Sequence, residues 1–337
     1  MPAGALTSVG IGDDAAVVAA PSGSVVAAVD LLIEGRHFRR DWSAAYDVGV
    51  KAAARSLADI AAMGAVNTAL LVALAAPGTL PARWATDLAE GLAFEATRAG
   101  AGIVGGDTAR ADAVTLSVTA LGDLENRRPV LRGGARPGDV LAVAGPLGHS
   151  AAGLALLSAG VQAVPALSTG TAALTALVTA HLRPAPPYDA GPEAARLGAT
   201  AMIDVSDGLL ADLGHVAAAS GVQVNVDSSR LVPGAGLREA AAFLSAVSAS
   251  LRTSAADTPS AASPVPSAAR AGADLPGAAS PLEWMLTGGE DHSLVATFPP
   301  TAVLPHRWHL IGEVSAGVGV TVDGAPRAGP AGWQHFR

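Results

Sequence analysis

The sequence predicts an α+β chain folded as two layered domains, each a sheet covered by helices. Three observations point there. Strand-like apolar runs alternate with helix-period segments on both sides of a turn-rich joint, "RGGARPGD", Arg132 to Asp139. The chain has 337 residues, 50% of them hydrophobic, enough to bury roughly two cores of ordinary domain size. Cysteine is absent, so those cores are held by packing alone. The joint divides the chain into a first domain over 1–135 and a second over 136–337.

The elements run in order along the chain. "AAVVAAPSGSVVAAVDLLI" reads as two short strands around Pro21-Ser22-Gly23, a hairpin. Ser43 is a plausible N-cap for a helix that runs to Met63 and is stopped by Gly64. A second helix covers Pro81 to Arg98, and "GIVGGDT" and "AVTLSVTALG" read as neighbouring strands. Past the joint, "DVLAVAG" is strand-like, and Ser150–Ala159 and Ala172–Leu182 have helical patterns. "RPAPP" is a rigid connector, and "AMIDVSDGLLADLGHVAAASGVQVNVD" reads strand, turn, helix, strand. Over about 245–280 the composition collapses to Ala, Ser and Pro, the signature of an inserted flexible loop.

Composition removes several function classes. A net charge of −8 argues against a nucleic-acid surface, which needs clustered cations. No apolar run approaches the roughly 20 residues that span a bilayer, and "MPAGALTSVG" has no basic leader region, so a cytoplasmic, membrane-free protein is expected. Lys51 is the only lysine, which rules out a P-loop and leaves no other residue for Schiff-base chemistry. Without cysteine there is neither a thiolate nucleophile nor a thiolate zinc site. Gly10-Ile-Gly12-Asp13-Asp14-Ala15 matches a dinucleotide fingerprint, with Asp30 at a ribose-compatible spacing. Its context defeats that reading: no full strand precedes it, and the next segment carries Pro21 rather than opening a helix.

The acids are more informative as a set. Asp13 and Asp14 come directly after Gly12, Asp30 ends "VVAAVD", and Asp59 lies in "LADIAAMGA". Asp107 closes "GIVGGDT", and Asp204 and Asp207 bracket Ser206 in "IDVSDG". Singly, each has an ordinary structural reading: Asp207 as a helix cap, Asp107 as a turn cap, Asp30 as a strand end. Asp59 with Arg55 and Lys51 could form a solvated ion-pair stripe. Together, in a chain only 15% charged, they favour a site for hard cations, above all Mg²⁺. Such ions would let carboxylates hold phosphates where no phosphate-binding lysine exists, and would offset the Asp13–Asp14 repulsion.

The motifs "GIGDDAA", "VDLLIEGRHF", "LADIAAMGA", "GGDT", "LRGGARPGD", "HLRPAPP", "IDVSDGLLADLGH", "LTGGEDHSL" and "GWQHF" occur in an order that resembles the thiamine-monophosphate kinase family. That family belongs to the superfamily of aminoimidazole-ribotide and selenophosphate synthetases. The resemblance spans nearly the whole chain outside the Ala/Ser/Pro segment. It implies an N-terminal mixed sheet with helices that pairs in a homodimer, a C-terminal α/β sandwich, and ATP-dependent conversion of thiamine monophosphate to thiamine diphosphate with several Mg²⁺ ions. By motif position, it implies metal carboxylates at Asp14, Asp30, Asp59, Asp107, Asp204 and Asp207. Gly106, Asp107, Arg132 and Ser206 would lie against ATP, and His37, Glu290 and Trp333 against the thiamine substrate. Asp207 and Arg132 would be closest to the chemistry, with no covalent nucleophile. Trp333 would offer an aromatic face to a cationic thiazolium.

The chain departs from the family pattern in places. Ala28, Val29 and Ala58 stand where hydroxyl residues are usual, Arg55 replaces a frequent asparagine, and His292 and Ser293 replace tyrosine and glutamate. The family's further helical segment ahead of "GIGDD" is also missing from the chain as it begins here. Two other readings stay open at this stage. One is a different ATP-using member of the superfamily; the other is a non-catalytic dimer that binds nucleotide or thiamine phosphates.

Overall fold

The computed structural model describes residues 4–11, 15–161, 172–256 and 280–333. Asp13 and Asp14 lie outside the described residues, as does the segment 257–279.

The first half is a four-stranded sheet backed by two helices. Strands β1 (Thr7–Val9) and β2 (Val17–Val18) form a small ribbon, followed by β3 (Val26–Ile33), helix α1 (Ala45–Ala62) and β4 (Val66–Ala76). Helix α2 (Ala82–Arg98), β5 (Gly102–Arg110) and β6 (Thr115–Asp123) complete it. The sheet order is β3-β6-β4-β5, mixed, because β4 and β5 run parallel while the other pairs are antiparallel. Two expectations are corrected here. β2 and β3 do not form a hairpin: β2 pairs with β1 and β3 with β6. A two-residue β2 offers too little ladder to hold β3, whereas β6 pairs with all eight β3 residues. Nor are β5 and β6 neighbours, because β4 lies between them. A β–α–β crossover through α2 explains why β4 and β5 pair in parallel.

Helix α1 starts without the expected Ser43 cap; the Ala44 N–H donates to Asp47 Oδ2 at 3.0 Å instead. It ends at Met63 and Gly64, the latter at φ +76°, the left-handed region that glycine enters freely. Fifteen of its residues are buried because it lies between two sheets.

The second half holds β7 (Val140–Ala144), α3 (His149–Ser158), α4 (Ala172–Leu182), α5 (Ala190–Arg196), β8 (Ala201–Asp204), α6 (Leu209–Ser220) and β9 (Gln223–Val226). Next come helix α7 (Ala235–Ala256), α8 (Pro281–Thr287), β10 (Leu294–Phe298), β11 (Trp308–Ser315), β12 (Gly319–Val322) and β13 (Ala325–Pro326). Helix α7 runs through 245–256, so the Ala/Ser composition there is helical rather than a loop; alanine's helix propensity carries it. The seven-stranded sheet has the order β13-β12-β9-β11-β7-β10-β8. β7 is an unbroken apolar run, and β10 is broken only by Thr297, because both faces are covered there. Ala142, Ala144, Met202, Leu294 and Phe298 face the core shared with α1, while Leu141, Val143, Ile203 and Val295 face the core built with α3, α4 and α6. That shared core places α1 of the first half against the strand ends of the second. No helix of the described residues is long and apolar enough to cross a membrane.

Candidate functional site

The acids meet where α1 passes the C-terminal end of β8. Residues 26–33 alternate, so Asp30 shares the α1-facing side of β3 with Ala28 and Leu32. Its Oδ2 accepts from Ser56 Oγ at 3.0 Å, and Arg55 Nη2 lies 3.8 Å from Oδ1. Asp59, one turn along α1, is pushed up to about 8, first by burial and then by the like charges of Asp204 and Asp30; Arg55 and Arg132 act against this. Asp204 ends β8 and receives His292 Nδ1 at 3.0 Å, which makes that nitrogen the imidazole donor. The His292 Nε2 is buried without a partner.

The turn after β8 is organised by Asp212, a residue to which no motif drew notice. Its Oδ2 accepts the N–H groups of Ser206, Asp207 and Gly208 at 3.0, 3.1 and 3.0 Å. Burial, with Asp204 and Asp207 close by, pushes Asp212 up to about 8. Two backbone contacts fix the rest of this turn: Glu290 N–H donates to the Ser206 carbonyl at 2.8 Å, and Trp333 N–H to the Asp207 carbonyl at 2.9 Å. Asp207 itself is therefore not an N-cap acceptor for α6; Asp212 satisfies those amides from inside the helix. Three acids at 204, 207 and 212 around a helix start are the signal that could have revealed Asp212.

Glu290 is the meeting point of the two halves. Lys51 Nζ reaches its Oε2 at 3.1 Å, and Arg55 Nη1 its Oε1 at 3.1 Å. Lys51 is only 2% exposed, so the stripe of Lys51, Arg55 and Asp59 is not solvated, and that expectation is corrected. The hydrophobic cover from the second sheet, invisible to helical spacing, puts it inside. Burial opposes ionisation of Glu290, but Lys51 first, then His181 and Arg55, hold it down at about 2. His181 Nδ1 lies 3.0 Å from Ser150 Oγ and 3.6 Å from Glu290, and burial and then Lys51 push it down to about 3. It is therefore neutral at ordinary pH.

Other predicted residues stand apart. Gly106 lies on β5, where a Cβ would come 1.9 Å from the Val72 carbonyl oxygen, so no side chain fits. Asp107 is exposed within β5, so it caps no turn there, and its Oδ1 accepts from the adjacent Thr108 N–H at 2.8 Å. His37 accepts the Ile33 N–H on Nδ1 at 3.0 Å in the turn after β3. The Trp333 ring is 64% exposed. Asp14 lies outside the described residues, and among those described no three His, Asp or Glu side chains close on a common metal position. The donor chemistry still fits a hard cation: Asp30, Asp59 and Asp204 are oxygen donors, and burial first, then the charges of Asp204 and Asp30, favour a protonated Asp59 carboxyl where no counter-charge is bound.

Comparison with known proteins agrees with this architecture. Residues 12–124 match the family model "AIR synthase related protein, N-terminal domain", and 136–250 match its C-terminal domain. The chain is 45% identical over 328 residues to a Mycobacterium tuberculosis thiamine-monophosphate kinase, covering 97% of this chain and 85% of the relative. It is 38% identical over 332 residues to that of Corynebacterium glutamicum, covering 96% and 88%. Among solved structures, AaThiL complexed with AMPPCP and TMP superposes with a TM-score of 0.77 at 31% identity, over 97% of this chain and 92% of that one. The thiamine-monophosphate kinase of Stenotrophomonas maltophilia gives 0.75 at 31% identity, over 95% and 92%. With its two AIR-synthase-related domains and these relatives along nearly all its length, the chain belongs to the thiamine-monophosphate kinase family.

Proposed function

We propose that this chain is a cytoplasmic kinase that transfers the γ-phosphoryl group of ATP to thiamine monophosphate, giving thiamine diphosphate and ADP. The observation that carries the reading is the convergence of Asp30 and Asp59 from one half with Asp204 from the other, in a family member whose solved relative holds an ATP analogue and TMP. Asp14, Asp30, Asp59, Asp107, Asp204 and Asp207 would hold Mg²⁺ ions, which would supply the positive charge that offsets the phosphates. Gly106, whose missing side chain lets the β4 backbone close against β5, would lie against the nucleotide together with Asp107, Arg132 and Ser206. His37, Glu290 and Trp333 would face the thiamine moiety, the carboxylate of Glu290 and the indole of Trp333 both suiting a cationic ring.

The transfer would be in line. An oxygen of the substrate phosphate attacks the γ-phosphorus, the bond to the β,γ-bridging oxygen breaks, and its electron pair leaves on ADP. That oxygen is already ionised near neutral pH, so the step needs no strong base, and positioning does the rest. Arg132 stands on the acid side of the joint, where its charge reaches Asp59 and would reach the γ-phosphate.

The outer face of the four-stranded sheet carries Val29 and Leu31, 62% and 52% exposed, beside Leu71. A row of this kind supports pairing of two copies through their sheets, the proposed homodimer. The deciding experiment measures ADP release and thiamine diphosphate together, with ATP, Mg²⁺ and thiamine monophosphate. Equal amounts of both products are expected. Turnover of another phosphorylated metabolite with none of thiamine monophosphate would transfer the assignment to a sister enzyme. Tight binding of both ligands without product would make the chain a binding protein.

A further inference from the structure

A cavity of about 520 Å³ lies between the joint and the C-terminal end of α5, lined by Arg127, Arg128, Val130, Arg136, Arg196 and Thr200 among others. None of the residues proposed above for metal, nucleotide or substrate lines it. Four guanidinium groups thus gather on one cavity in a chain whose net charge is −8.

Many arginines elsewhere in this protein take carboxylate partners, such as Arg40 with Glu34 at 2.6 Å, Arg98 with Glu95 at 2.5 Å and Arg230 with Asp227 at 2.9 Å, while Arg36, Arg110, Arg132 and Arg238 stand singly without one among the described residues. The cavity gathers several such guanidinium groups on one wall. Among the described residues no carboxylate pairs with the guanidinium of Arg128, Arg136 or Arg196. Arg127 has one partner, Glu125 at 2.5 Å, and donates to the Gly64 carbonyl at 3.2 Å, yet its Nε is buried with nothing to receive it. Asp139, the nearest acid by sequence, is committed to the Arg136 main-chain N–H and to Thr200 Oγ1. Arg196 has an ordinary reason to be where it is, since a cation suits the last turn of α5. That reason does not extend to Arg128 or Arg136, which belong to no helix.

We propose that this cavity is a second anion site, separate from the groove of acids, and that it binds a diphosphate group. Guanidinium forks match phosphate oxygens two at a time, so several of them on one wall select a multiply charged phosphate over a single carboxylate. The volume is in the small-ligand range of about 300–1,000 Å³ rather than that of a polymer track. The neighbouring Pro129, Val130, Ala195 and Ala199 leave an apolar flank for an organic group attached to the diphosphate. Because the lining comes from the joint and from α5 together, a bound ligand would tie the two halves at a second point.

The test is isothermal titration of the full chain with inorganic pyrophosphate, in EDTA, so that the acid groove repels the probe and only the arginine cavity can take it. One site is expected, weakening steeply as salt rises. Its affinity should fall by at least about tenfold in the Arg128→Gln/Arg136→Gln variant, while the melting temperature of that variant stays within about 2 °C of the wild type. Parallel titrations with ADP and orthophosphate identify the source. Tighter binding of ADP points to an organic diphosphate, and equal binding of ADP and pyrophosphate points to the inorganic ion. No heat from the wild type, unchanged affinity in the double variant, or orthophosphate binding as tightly as pyrophosphate would each overturn the proposal. If the double variant melts early, Arg136→Gln alone, on an exposed turn, serves in its place.

Discussion

Replacing Lys51 by methionine removes one charge and keeps most of the stem's packing, so the loss is electrostatic. At 3.1 Å and an effective dielectric of about 20, the Lys51–Glu290 attraction is about 5 kcal/mol before desolvation is subtracted. A second route gives a similar scale. Glu290 held at about 2 rather than 4.5 corresponds to about 3 kcal/mol of pH-dependent stability, shared among Lys51, His181 and Arg55 with Lys51 first. Arg55 remains in the variant on Oε1, so the expected loss is about 2 kcal/mol, or about 3 °C in melting temperature for a chain of this length. The sign with pH is fixed. A carboxylate whose folded value is depressed contributes stability above its unfolded value, and loses it as pH falls through the folded value. The gap between wild type and variant should therefore be full at pH 7 and close between about 4.5 and 2. Without the Lys51 ammonium, His181 should also titrate higher than about 3, visible in its ring-proton shifts. Melting curves of the two proteins from pH 3 to 8 decide it. A variant within about 1 °C of the wild type at pH 7, or a gap that widens on acidification, would refute the buried-pair account.

Other contacts give further expected outcomes. Asp59→Asn should abolish ADP release; in EDTA its urea midpoint should match that of the wild type only near pH 3.8, exceed it at pH 6 and exceed it further at pH 9. The reason is that a raised folded value gives stability that is fully present below about 3.8 and is lost progressively as pH rises from there to about 8. Gly106→Ala should cost about 1–3 kcal/mol in urea unfolding and weaken ATP binding, because its Cβ would meet the Val72 carbonyl oxygen at 1.9 Å. Tyr188→Phe removes a 2.6 Å hydrogen bond to buried Glu95 while leaving Arg98 on that carboxylate; a loss of about 1–2 kcal/mol with unchanged turnover is expected in paired melting and ADP-release assays.

Much of this fold is legible locally. The end of α1 at Gly64 and the strand–turn–helix–strand run from Ala201 to Val226 arise from glycine placement and a change of period. β4 is not legible, because "VNTALLVALAA" is a continuous apolar run rich in helix formers, and its β role is imposed by β5 and β6 on either side. The β2–β3 error has the same root: a turn signal shows where the chain reverses, not which strand it will pair with. In the site, the strand-end acids Asp30 and Asp204 stand out by context. Lys51, Arg55 and Asp212 do not, because their importance depends on what covers them, and that comes from residues more than a hundred positions away or from a turn's own amides.

The Lys51 and Arg55 grip on Glu290 also bears on how the molecule can move. A hinge between the two halves would have to strip a carboxylate from two cations and expose an ammonium group that water does not reach at rest. Swinging apart as rigid shells is thereby disfavoured. Passage of ligands therefore has to leave this two-cation clasp on Glu290 intact.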